Sequence, residues 1–480
     1  MQGISVVGHN DIISRKTPSE PAQVAQKFPG VAMMLTGGHI RVTDPVAFAD
    51  PLPEACDIVI IGGGIAGVAS ALFLARAGLR VVVCEKGRIA AEQSSRNWGW
   101  IRQQGRDPAE LPIMIEALRL WEQLAPDLGE AASFQQCGVT YLAKTEAELA
   151  SYEGWLALAR EHGLDTRMVS RAELGATLPN SAGWIGALST PSDARAEPWG
   201  AVPALARIAQ QEGAMVVEDC AVRSLDLSGG RLHGVYTELG HIRADRVLLA
   251  GGAWSSLFAR NAGIDMPQLA VRSTVAATMP MPDFWHGAAA DNQFSFRRRQ
   301  DGGYTLAPGM AHDFWVGPDA FRNLKAYLPQ LRRDYRATHL RPWPPLGFPD
   351  GWLTKRRWHG DEESPFERMR VLDPPPNERF LKKLHRDFSE AFPQIGPPVL
   401  RSAWAGMIDV MPDEVPILDE SPISGLFIAT GLSGHGFGIG PGVGRVMADL
   451  MQGRATEHDL GRFRFGRFSD GSALVLGPSL

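Results

Sequence analysis

The polar Asp57 is followed by Ile58-Val59-Ile60-Ile61, four β-branched residues in a row, and then by three glycines. An unbroken apolar run of that length predicts a strand buried on both faces, as in a parallel sheet. Residues 68–77 predict a helix with small residues toward the sheet. Gly78 ends it, and residues 79–84 predict a second buried strand. Residues 111–124 read as an amphipathic helix, because Leu111, Ile115, Leu118, Trp121 and Leu124 share one face. Residues 146–162 and 199–213 predict further helices, and a short one starts at Arg171. Residues 214–227 alternate as one strand, and Gly229-Gly230 turns the chain into its partner over 231–239.

Val247-Leu248-Leu249-Ala250 is a second buried strand, closed by Gly251-Gly252 and followed by a helix through Leu257. Residues 274–279, 293–298 and 303–307 predict antiparallel strands. Surface helices are expected over 332–339 and 378–388, and Pro342-Trp343-Pro344-Pro345 is a rigid turn. Residues 401–413 form a strand and turn, and residues 425–430 a strand. A second glycine-rich loop over 431–442 opens a helix over 443–451.

The order of elements predicts an α/β chain: a Rossmann-like dinucleotide-binding domain on a central parallel sheet, with a mixed antiparallel-sheet substrate domain interleaved. The boundaries read as an N-terminal arm over 1–55, binding-domain segments over 56–145, 196–267 and 401–462, substrate-domain segments over 146–195 and 268–400, and a tail over 463–480. The linker 191–198 is turn-rich, so Asp193, Arg195 and Glu197 are expected as loop ion pairs.

Composition narrows the partners. Across 480 residues, 48 Lys and Arg nearly balance 53 Asp and Glu, for a net charge of −5. Nothing there points to nucleic acid or to a membrane surface. No apolar run has membrane length, and residues 1–26 lack the apolar core of a signal peptide. A cytoplasmic protein is the expectation. The four cysteines are scattered, and none of the 12 histidines pairs at metal spacing, so no disulfide and no metal is expected.

The chemistry starts at the first turn. Gly62, Gly64 and Gly67 occupy the three glycine positions of a dinucleotide fingerprint, with Ile65 and Ala66 at the helix start. The helix N-terminus faces the phosphates. Glu85 ends the second strand where an acid bonds a ribose hydroxyl, with Lys86 beside it. An acid there favours FAD or NAD over NADP. A phosphate loop would need a closing Gly-Lys-Ser/Thr, which is absent. The next loop carries Ser94, Ser95, Arg96, Asn97, Trp98, Gly99, Trp100 and Arg102. It is too polar for core and too aromatic for a plain solvent loop; packing plugs and surface ion pairs are the simpler alternative. Trp254 either reaches the ligand or caps the sheet end. Arg297-Arg298-Arg299 alternate across a strand, so at most two face inward. Tyr304 and His312 are further candidates. Gly434, His435, Gly436, Phe437 and Gly438 lie in the second glycine-rich turn, again at a helix start.

Taken together, residues 62–85, 94–102, 247–254, 404–416 and 434–438 resemble the D-amino-acid oxidase or DAO-type flavoproteins, a family that includes glycine and sarcosine oxidases. The resemblance implies FAD rather than NAD, a flavin lobe built from both ends of the chain, and oxidation of a C–N bond. It implies that Gly62, Gly64 and Gly67 hold the pyrophosphate and Glu85 the ribose. Ser95, Arg96 and Gly99 would line phosphate and flavin, Val222 the adenine, and residues 434–438 the ribityl chain and the N1/O2 edge. The family's usual carboxylate-clamping Arg is replaced by Met407-Ile408, which favours a secondary amine or N-substituted amino acid. The His or Cys that carries covalent flavin in some members is missing, which favours non-covalent FAD.

The expected reaction is hydride transfer from the carbon beside the amine to flavin N5, giving an imine that hydrolyses. Trp98, Trp100, Trp254 and Trp404 would form an apolar wall. Arg102 or one of Arg297 to Arg299 would fix an anionic group, and Asp409 or His435 would tune the amine's protonation. Oxygen or a carrier would accept the electrons. The alternatives are a catalytic subunit of a heteromeric amino-acid or opine dehydrogenase and a protein that keeps FAD without turnover; the partner expected is a second copy of the chain or a partner subunit.

Overall fold

Ile58–Ile61 lies near the middle of a six-stranded sheet, paired in parallel with Val81–Cys84 on one side and Arg246–Leu249 on the other. Every residue of the three strands except Arg246 is buried, as their apolar runs require. Met215–Val217 and Leu426–Thr430 extend the sheet in parallel, and Ile417–Glu420 closes one edge antiparallel. This is a computed structural model, and it describes residues 38–178 and 183–477. The expected arm falls largely outside the described residues. Its last part pairs with the sheet region through bridges from Ala49 to Val217 and from Ala55 to Arg243.

The second large sheet has ten strands and mixes parallel and antiparallel pairs. Leu269–Thr278 runs along Leu400–Val410 for most of its length, and Tyr304–Ala307, Ser295–Arg298 and Ala288–Ala290 follow in order. Val139–Ala143 joins this sheet, pairing with Ala288–Ala290 and with Gly186–Thr190. The expected first segment, 56–145, therefore ends too late, because an apolar five-residue strand does not itself say which sheet will take it. Phe284, Phe294, Phe296, Phe388 and Phe392 fill the core on this side. The helix Glu378–Ala391 is thus only half a surface helix.

Four further expectations are corrected. The strand expected over 214–227 is two strands, Met215–Val217 and Val222–Ser228, in different sheets. The break is at Asp219, whose φ of +50° turns the chain. The helix expected at 332–339 lies at Leu324–Asp334, and Thr338–Arg341 is an edge strand. Pro329 inside the helix obscures its period there. The linker 191–198 is interior: Asp193, Arg195 and Glu197 are all buried, and Ala194–Arg195 pairs with Trp100–Ile101. Glu197 holds Arg297 at 2.9 Å.

The last correction concerns the second glycine-rich stretch. The helix runs from Gly436 to Met451, so most of the expected loop is helix. Its glycines are packing sites. A Cβ at Gly440 would lie 2.2 Å from the Ile65 side chain, one at Gly442 2.6 Å from the Ile113 carbonyl, and one at Gly444 2.5 Å from the Ala69 backbone. Three glycines on alternate positions let this helix wedge between Ile65–Arg76 and Leu111–Ala132. Tertiary packing overrides the poor helix propensity of glycine.

Candidate active site

The fingerprint glycines sit as their spacing requires. Gly62 has φ of +110°, and a Cβ there would lie 2.5 Å from the Ala250 carbonyl. A Cβ at Gly67 would lie 2.1 Å from the Gly62 carbonyl, so helix and strand touch at that point. At Gly64 only the Ser94 hydroxyl is near, at 3.2 Å, and the residue opens onto free space.

That space forms a passage of two adjoining cavities. A narrow pocket of about 110 Å³ is lined by Gly62, Glu85, Lys86, Val222, Gly251 and Trp254. A chamber of about 1000 Å³ is lined by Ile65, Ala66, Trp98, Arg102 and His435, among others. The two share Gly64, Gln93, Ser94, Ala250 and Gly252. The two lie in line from Glu85, over the start of the fingerprint helix, to the second glycine turn.

The residues fit FAD. Glu85 accepts from the N–H of Gly63 and of Gly87, each at 2.7 Å. Burial raises its pKa, opposed by Lys86 and by those two N–H groups. Its place in the narrow pocket, at the end of a parallel strand, suits a ribose. Lys86 pairs with Glu92 at 2.6 Å and lies 4.5 Å from the centre of the Trp254 ring. The Trp254 indole in turn donates to Glu92 at 3.0 Å. Ser94 receives the Ile65 N–H at 2.9 Å, fixing the loop against the helix start.

In the chamber, Gly434, His435, Gly436 and Phe437 from the far end of the chain face Ile65, Ala66, Asn97, Trp98 and Trp100. Trp98 and Trp100 pack edge to face at 5.4 Å. Arg102 bonds the Gln104 carbonyl and lies 5.8 Å from the centre of the Tyr141 ring. Arg96 reaches the chamber, but its guanidinium is held by Asp373 at 2.6 Å and by the Ala405 carbonyl at 2.9 Å. Asp409 accepts from Gly431 N–H at 2.6 Å and from Gln268 at 3.1 Å. Burial raises its pKa, opposed by the Gly431 N–H. Asp409 thus lines the chamber and holds the second glycine turn.

Several expected site residues lie elsewhere. Tyr304 is in the aromatic core, its hydroxyl receiving the N–H groups of Phe284 and Trp285, because its strand turns that face inward. Trp404 is buried behind the loop and donates to the Arg96 carbonyl at 3.0 Å. With Trp254 in the narrow pocket, Trp98 and Trp100 are the two of the four expected tryptophans that line the chamber. Ser95 is buried and accepts from Ile40 N–H at 3.2 Å. Gly99 packs against the Ala196 carbonyl, and the Gly438 carbonyl takes the Trp121 indole N–H at 2.8 Å. Arg297 and Arg299 face inward but are held by Glu197 and Asp301. His312 lines the chamber and contacts the Met310 carbonyl.

Sequence reasoning missed Gln93, Tyr141, Arg106 and Glu110. Gln93 borders both spaces, and its amide oxygen accepts the Asp409 N–H at 3.3 Å. Arg106 follows the tryptophan loop by a few residues, the one signal that could have found it. Glu110 acts on His435, 325 residues away, which no local pattern shows.

The family model described as "DAO: FAD dependent oxidoreductase" matches residues 57–450. The sarcosine oxidase subunit beta of Rhodobacter capsulatus is 25% identical over 441 residues, covering 89% of this chain and 93% of that one. The mitochondrial sarcosine dehydrogenase of Mus musculus is 24% identical, and this chain spans only 42% of its length. The L-amino acid deaminase of Proteus myxofaciens, solved in complex with anthranilate, superposes with a TM-score of 0.84 at 29% identity, covering 89% of this chain and 97% of that one.

Proposed function

The chain belongs to the DAO family of FAD dependent oxidoreductases, and on that premise we propose that it oxidises the C–N bond of a secondary amine or N-substituted amino acid. The observation that carries this is the passage from Glu85 to His435, which widens at the tryptophans beside two arginines, Arg102 and Arg106. When bound, FAD supplies the hydride acceptor at N5. The chain's own residues do the rest. Gly62, Gly64, Ser94 and Glu85 would hold the nucleotide half. The start of Gly436–Met451 would face the pyrimidine edge, where a helix N-terminus favours negative charge.

Arg102 and Arg106 supply the positive charge for a substrate carboxylate, in place of the missing clamp at Met407-Ile408. Trp98 and Trp100 exclude water from the reacting carbon. Orientation in a dry site lowers the barrier without a covalent nucleophile. The position at which some members carry flavin on a His is Arg96-Asn97 in this chain, and FAD is held non-covalently on this reading. Acid precipitation is expected to leave all flavin in the supernatant; flavin in the pellet overturns that point.

The substrate reading is tested by comparing an N-methyl amino acid with the same amine lacking its carboxylate. The acid is expected to reduce the enzyme at least tenfold more efficiently, since a charged hydrogen bond contributes about 1.5–3 kcal/mol. Equal efficiency overturns the role of the two arginines.

A second reading, a catalytic subunit with a partner chain, is favoured by one stretch of the chain. Of the 19 exposed large apolar side chains among the described residues, 11 fall within residues 310–353. Co-purification and gel filtration separate the two readings: a lone, fully active species excludes the second.

A further inference from the structure

Behind the chamber wall lies a buried acid that the reaction above leaves without a task. Glu110 is fully buried where the helix Leu111–Ala132 begins. Its Oε1 lies 3.0 Å from Nε2 of His435. Arg106, also buried, donates from Nη2 to the His435 carbonyl at 2.9 Å and from Nε to the Arg102 carbonyl at 3.1 Å. Its Nη1 lies 3.8 Å from Glu110 Oε2, and neither atom has a hydrogen-bond partner among the described residues. A buried polar atom without a partner costs about 1–3 kcal/mol and calls for a reason. Both Arg106 and His435 line the chamber.

The charges fix the imidazole. Burial works to raise the pKa of Glu110, but His435 and Arg106 outweigh it and hold the acid below its usual value. Burial lowers the Arg106 guanidinium to about 10, against the pull of Glu110. An ionised carboxylate only accepts, so the proton on Nε2 of His435 is committed to Glu110. Nδ1 is the ring nitrogen left for a ligand. The other charged or titratable groups around this cluster are Arg102, Asp107 and Tyr141 on the near side, and Asp409 at the glycine turn.

We propose that Nδ1 of His435 takes the proton of the substrate's ammonium group before the C–H bond breaks, with Glu110 as the positioning residue that holds the ring. This rests on the amine-oxidising reading above. In the step, one ammonium N–H bond breaks, its electron pair stays on the substrate nitrogen, and the proton bonds to Nδ1. The products are a neutral amine and an imidazolium paired with Glu110. No oxidant or reductant enters. The amine's lone pair is then available to the carbon that loses hydride.

The test is anaerobic flavin reduction by an N-methyl amino acid, followed by stopped flow from neutral to alkaline pH. His435→Asn is expected to reduce roughly 10²-fold more slowly at neutral pH, the usual scale of general base catalysis. It recovers as pH rises toward about 10, where an aliphatic amine is neutral unaided. Because His435 lies beside the flavin, rates are compared per bound FAD, with the bound flavin of each variant measured by its visible spectrum. Glu110→Gln removes the carboxylate that holds the ring, so its rate at neutral pH falls and the loss shrinks toward alkaline pH, as for His435→Asn. A defect equal at every pH, or no defect, overturns the proposal alone. A wild-type flavin that no amine bleaches overturns the amine reading with it.

Discussion

Glu85 places both carboxylate oxygens on backbone N–H groups at the mouth of the narrow pocket. It closes the strand Val81–Cys84 and sets the edge where a ribose would lie. Glu85→Gln puts an amide N–H against one of those donors and removes the charge. FAD affinity is expected to fall about 10- to 100-fold, the scale of one or two charged hydrogen bonds, measured by fluorescence on titration. Asp193 makes a different prediction. Burial raises its pKa from 3.8 to about 7, against N–H groups of Gln103 and Gln104. A raised folded pKa means that the native state keeps a proton that the unfolded chain has lost. Stability from this group is complete below the unfolded pKa and falls as pH rises through about 7. Asp193→Asn is expected to flatten that fall, read as melting temperature against pH. An unchanged slope contradicts the assignment.

The helix Gly436–Met451 shows what packing can do to a glycine-rich sequence. In an open helix, Gly→Ala gains about 1 kcal/mol. Gly154, in the helix Glu146–Glu161, has nothing within 4 Å of a built Cβ, so Gly154→Ala is expected to stabilise by up to about that amount. At Gly444 the same change meets the Ala69 backbone at 2.5 Å. It is expected to destabilise by about 1–3 kcal/mol, the cost of overpacking. Chemical denaturation of the two variants, side by side, checks the opposite signs. The buried strands around Ile58–Ile61 and the capped helix Glu146–Glu161 were legible because pattern and local chemistry agree there. The start of Gly436–Met451 was not, because its reason lies in Ile65, Ile113 and Ala69, far away in sequence.

At the scale of the whole molecule, the passage joins residues from both ends of the chain, Gly62 with Glu85 and Gly434 with His435. Such a site exists only in the folded chain, so FAD binds the native state alone. Added FAD is expected to stabilise the apoprotein by about 2.7 kcal/mol at a free concentration 100-fold above Kd. Differential scanning over a range of FAD concentrations checks this, and a melting temperature independent of FAD contradicts it. The fingerprint and the second glycine turn were both visible in the sequence, which is why the cofactor was. The substrate side was less so. Tyr304 and Trp404 look like site residues by type and are core by placement, while Arg106 and Glu110 look like ordinary surface charge and are buried, one lining the chamber and the other behind His435.

The central claim is that this passage carries FAD to an amine. The most direct measurement is the visible spectrum of the purified holoprotein, recorded without oxygen, as an N-methyl amino acid is added. The expected result is loss of the oxidised flavin band in proportion to the amine added, with an aldehyde or oxo acid as product. A flavin band that persists through a panel of secondary amines and N-substituted amino acids contradicts it.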